Sequence, residues 1–154
     1  MKNIDDEIQF HLSKAGWYLG ETPIELSKAS IGGVEVITAS YLDAGNLACL
    51  KNGRIYISKA LAFYASLPQI RLAILHEYAH LKLNFLGKPT HDNEYACDLW
   101  ALKQMIKSGM YSIHELYNAI DLFGDVINFV ETETHPSSKN RHKRLLDQLW
   151  ECGL

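Results

Sequence analysis

The stretch Leu75–Phe85, LHEYAHLKLNF, sets two histidines four residues apart around a glutamate in a largely apolar run. Residues four apart on an α-helix project from one face, one turn above the other. His76 and His80 can therefore aim imidazole nitrogens at a single metal ion. Glu77 follows the first histidine in sequence but points to the side of that axis. There it can take a proton from water without itself holding the metal.

The pattern is HExxH, the motif in which two histidines bind zinc and the glutamate acts as base in peptide hydrolysis. Two histidines and a glutamate buried without partners would be costly, which argues against a helix that merely carries polar residues. Zinc needs a third protein ligand. The extended form HExxHxxGxxH does not supply it, because Leu83 stands at the glycine position and Leu86 at the last histidine position.

The other source is the following helix. If the chain turns near Gly87 and returns antiparallel, Glu94 comes level with His80 and Asp98 level with His76. Glu94 is then the third ligand. Asp98 is placed to accept from a ligand imidazole, that of His76. His91 is a competing ligand, although a loop histidine is its plainer role.

Outward from this motif, the chain reads as α+β, with a few strands early and helices afterwards. Residues 4–15 read as an amphipathic helix, and Thr22-Pro23 as the start of another, with proline at the first helical position. Gly32-Gly33 breaks the chain before the strand-like VEVITASYL. NLACLKNGRIYIS is a hairpin around Asn52-Gly53, a dipeptide in which both central residues accept positive φ. Helices are expected over about 59–66, 69–86, 91–107 (capped by Thr90), 112–122 and 141–151. A polar loop, TETHPSSKN, separates the last two.

The 154 residues suggest one domain, 1–154, with residues 1–30 an unassigned helical segment and 31–154 a catalytic core. Apolar residues make up 47% and charged residues 21%, as in globular chains. The net charge of -3 gives no reason to expect a nucleic-acid or anionic-membrane partner. The basic stretch KNRHKR reads as a solvated helix face. The N-terminus lacks the order of a signal peptide, and no apolar run is long enough for a membrane span. Cys49, Cys97 and Cys152 form no CxxC pair, in keeping with a soluble, cytoplasmic protein.

With HEYAH followed by EYACDLWA, the chain resembles the gluzincin metallopeptidases. It is more specifically similar to the HtpX-like and CaaX-prenyl-protease family and its small soluble relatives, the minigluzincins. In that family HExxH is followed by ExxAD on the next helix, and Cys97 here stands at the usual alanine. GRIYISKAL, KSGMYSIHEL and THPSSKNRHKRL resemble further segments of the family, the last with Thr134, His135, Pro136 and Arg141 in register. The match runs from about residue 46 to 146. The interval from His80 to Glu94 is shorter than is usual there, and the membrane helices of the larger members are absent.

The resemblance implies a small zincin-like domain, in which a short N-terminal sheet packs on a helical bundle carrying the HExxH and glutamate helices. It implies a zinc endopeptidase with one Zn2+ per chain on His76, His80 and Glu94, and Glu77 as general base. His135, with Arg141, would stabilise the oxyanion. A peptide or unfolded protein substrate would add as a strand along the sheet edge at Ala48 and Cys49, with Arg141 among the substrate-binding residues. Two rival readings are a repressor-cleaving protease of the ImmA type, whose relatives lack the THP segment, and a latent or inactive zinc-stabilised binding module. Intact Glu77 argues against the second.

Overall fold

The structure, a computed structural model, describes residues 25–39, 42 and 47–153. The helix expected over 4–15 and the Thr22-Pro23 helix start lie outside them. The first described element is a strand, β1 (Glu25–Ile31), which pairs antiparallel with β2 (Val34–Ala39). This corrects the helical reading for residues 25–30. Gly32 and Gly33 adopt φ of 53° and 83°, so the supposed break is a tight turn that folds the chain back on itself. A ladder running from Ile31↔Val34 to Glu25↔Ala39 then outweighs any local helix signal, since strand formation depends on the partner more than on propensity.

The second hairpin matches its expectation. β3 (Ala48–Lys51) and β4 (Arg54–Ser58) pair antiparallel across Asn52 and Gly53, whose φ values are 53° and 72°. β4 also pairs in parallel with β2, from Val36↔Ile55 to Ala39↔Ser58, which gives the sheet order β1-β2-β4-β3. The central strands bury Val36, Ile37, Ile55 and Ile57, while β3 is the outermost of the described strands on the β4 side. Ser58 is also buried, because its hydroxyl accepts from the Leu61 amide (3.1 Å) and starts α1 (Lys59–Tyr64).

The chain divides into two compact units, Met1–Tyr64 and Ala65–Leu154. The second is helical. Its first helix, α2 (Leu67–Lys82), begins earlier than residue 69, because Ser66 and Gln69 form a capping box and Pro68 fits within the first turn. It ends at Lys82 rather than Leu86, with Asn84 at a φ of 59°. α3 (His91–Ser108) is capped by Thr90, which accepts from the Asn93 amide, and is closed by Gly109 at a φ of 66°.

α4 (Ile113–Ile120) carries a second capping box, from Ser112 and Glu115. The short, kinked α5 (Leu122–Asp125) follows. The last helix, α6 (Ser138–Glu151), starts three residues before the expected 141, because Ser137 caps it through the Asn140 amide. Buried apolar side chains on each long helix form the core: Leu72 and Ile74, Leu102 and Met105, Leu116 and Ile120, Leu145 and Leu149. Each contributes about 1.5–3 kcal/mol by leaving water. No helix among the described residues is long and apolar enough to cross a membrane.

Candidate metal centre

The turn between α2 and α3 brings the expected ligands together within the helical unit. His76 Nε2 lies 2.9 Å from Glu94 Oε2, and His80 Nε2 lies 3.4 Å from Glu94 Oε1. Ligand atoms of His76, His80 and Glu94 all fall within 4.8 Å of one another. A tetrahedral ion with bonds of about 2.0–2.1 Å sets its ligand atoms about 3.3 Å apart. The donor set, two imidazoles and a carboxylate, fits a zinc-like ion in type, and this group could hold a metal. His76 and Glu94 are buried, and the His80 side chain is 12% exposed.

Each imidazole is oriented through its other nitrogen. His76 Nδ1 donates to Asp98 Oδ1 at 2.7 Å, and His80 Nδ1 donates to the Phe85 carbonyl at 2.9 Å. Neither a carboxylate nor a carbonyl can donate, so Nδ1 of each ring carries a proton. A metal would take the place of the proton on Nε2, which faces Glu94.

Asp98 is held in turn by Arg141, whose Nη2 donates to Oδ1 at 2.7 Å and Nε to Oδ2 at 2.8 Å. The guanidinium is buried and stacks over Phe123, 4.2 Å from the ring centroid. Arg141 was expected at the substrate. The structure turns it to Asp98, with Nη2 3.7 Å from Glu94 Oε2. Arginine in this fork holds a carboxylate in one orientation, which a lysine cannot do.

The charges are coupled. For His76, burial works against the imidazolium, but Asp98 and Glu94 outweigh it and push the ring up to about 10. His80 rises to about 11, through hydrogen bonding to the Cys97 side chain and then to Glu94. Glu94 is held well below the carboxylate range by its two histidine partners, against the opposing effect of burial. Asp98 is also low, because Arg141 and His76 outweigh its burial. Without metal, the group is thus an ion network with protons on both rings.

Glu77 is half-buried next to these residues in sequence, and burial pushes its carboxyl up against the lowering charges of His76 and His80. His91 begins α3 and donates from Nε2 to the Thr132 carbonyl at 2.6 Å, so it is not one of the grouped ligands. His135 is exposed in the loop before α6, with Nδ1 2.9 Å from Thr134 Oγ1 and its amide donating to Thr132 Oγ1. Ala48 and Cys49 are half-buried on β3, opposite Ile57 and Tyr56.

Three contacts escaped the sequence reading: the Phe85 carbonyl on His80, Cys97 beside His80, and the fork of Arg141 on Asp98. Spacing could have suggested Cys97, which is one turn after Glu94 on α3. A main-chain carbonyl and a partner forty-three residues away leave no local signal. Among known proteins, no family model, no curated protein and no solved structure matches this chain.

Proposed function

We propose that the protein is a zinc-dependent endopeptidase. The observation that carries this reading is the convergence of His76 Nε2, His80 Nε2 and a Glu94 carboxylate oxygen, beside an intact Glu77 on the same helix. The resemblance of HEYAH, EYACD and the THP segment to the minigluzincins points the same way. Zinc on these three ligands would supply a Lewis acid that polarises the scissile carbonyl and makes the attacking water more acidic.

The chain's own residues do the rest. Asp98 and the Phe85 carbonyl keep both rings in the ligating tautomer, and Arg141 keeps Asp98 in place. Glu77 takes the proton from the attacking water and gives it to the leaving amine. A carboxylate raised by burial suits this task, because a base works best when its pKa approaches the working pH. His135, held at Nδ1 by Thr134, offers Nε2 to the carbonyl oxygen as negative charge develops on it. An extended peptide substrate would bind through main-chain bonds, which tolerates many sequences and requires a flexible segment.

Glu77→Gln tests this reading. The variant should hold the same zinc per chain as the wild type and lose about 10²–10⁴-fold in cleavage of a fluorescent unfolded casein. Equal turnover by the two proteins would remove Glu77, and the mechanism with it.

A further inference from the structure

The acceptor that orients His80 is a main-chain carbonyl, and the conformation of one residue controls where it points. α2 ends in a Schellman turn. The Phe85 amide donates to the His80 carbonyl at 2.8 Å, and the Asn84 amide donates to the Leu81 carbonyl at 3.3 Å. Asn84 lies between them in the left-handed region, at a φ of 59°. Apart from glycine, asparagine enters that region at least cost, and β-branched residues at the greatest. The same turn points the Phe85 carbonyl back at His80 Nδ1, 2.9 Å away. His80 is therefore clasped twice by Phe85, its carbonyl oxygen by the amide and its ring by the carbonyl.

We propose that Asn84 is a positioning residue of the metal centre. Its left-handed backbone sets the Phe85 carbonyl, which holds the proton on Nδ1 of His80 and leaves Nε2 for the metal. This rests on the metal-centre reading and deepens it. The two histidines are then oriented by different means: His76 by a side chain that a single substitution can remove, His80 by a turn that only a change of backbone can remove. A segment that extended α2 through Asn84 would carry the Phe85 carbonyl away along the helix axis and leave the His80 ring free to rotate.

The test compares Asn84→Gly and Asn84→Val with the wild type, using the full chain. Glycine keeps the turn, whereas valine resists it. In metal-free protein, the His80 Nδ1–H resonance should be seen by NMR in the wild type and Asn84→Gly and lost in Asn84→Val. Co2+ and Zn2+ titrations should show Asn84→Gly within about threefold of the wild type and Asn84→Val weaker by about 10–100-fold, the usual effect of losing a partner of a ligand. An Asn84→Val protein that keeps both the resonance and the affinity would overturn the proposal. If valine prevents folding, Asn84→Ala, judged by circular dichroism to be folded, takes its place with the same readouts. A wild type that shows the resonance but binds neither ion would sink the metal-centre reading. The resonance in the variants would still decide the role of Asn84.

Discussion

His76 and His135 occupy opposite settings. His76 is enclosed, with Asp98 on one nitrogen, Glu94 facing the other, and Arg141 fixing Asp98 from behind. His135 is exposed in a loop where Phe129 and Val130 also face solvent, 53% and 82% exposed. Buried Pro136 and the paired bonds between Phe129 and Ser138 close the base of that loop, and Thr132 and His135 close its tip. His91 ties the tip to α3. The first region is fixed by buried charges that pair with one another. The second leaves its large apolar side chains exposed, so hydrogen bonds in contact with water set its geometry. On the proposed function the enclosed histidine would hold a metal and the exposed one would meet substrate, and only the second role admits freedom.

The largest break in this contrast should come from Arg141→Met. It removes the cation and leaves Asp98 buried with His76 alone, at a cost of about 3–5 kcal/mol in a denaturant titration of the metal-free protein. A loss below about 1 kcal/mol would mean that the Arg141–Asp98 pair is not the support described.

Metal binding and pH sharpen the same contrast. His76 and His80 are raised from 6.5 to about 10 and about 11, so the stability they give the metal-free protein is full below pH 6.5 and fades as pH rises toward those values. Glu94 is lowered from 4.5, so its contribution is full above that pH and is lost as pH falls. The metal-free protein should thus be most stable between about pH 4.5 and 6.5. A metal needs both rings neutral, so its apparent affinity should climb through this range and beyond, by up to about 100-fold per pH unit while two protons must leave. Melting curves with and without Zn2+ should separate more at pH 8.5 than at pH 6. A gap that narrows would contradict protonated rings in the metal-free group.

The exposed loop should yield smaller effects. His91→Ala removes one hydrogen bond and should speed amide exchange at Thr132 and His135 by about fivefold, with α3 unchanged. No change there would show that the loop holds itself. Smallest of all, Lys143→Ala breaks an exposed pair with Asp147 on α6 and should shift stability by less than about 0.5 kcal/mol.

The local elements were legible because their signals are local. Asn52-Gly53 marks its hairpin, Thr90 and Gly109 bound α3, and the four-residue spacing of His76 and His80 defines one helix face. The level placing of Glu94 and Asp98 also followed from counting residues about a turn at Gly87. β1 was not legible, since a strand is stabilised by its partner and the partner had to be found across Gly32-Gly33. Sequence alone thus determined the helix that carries the two histidines and the turn that returns Glu94 to them, because those depend on fixed helical geometry. Only the tertiary structure decided that Arg141 serves Asp98 and that His91 holds the Thr132 carbonyl, because partners 43 and 41 residues apart are brought together by packing, which is not written in the spacing of residues.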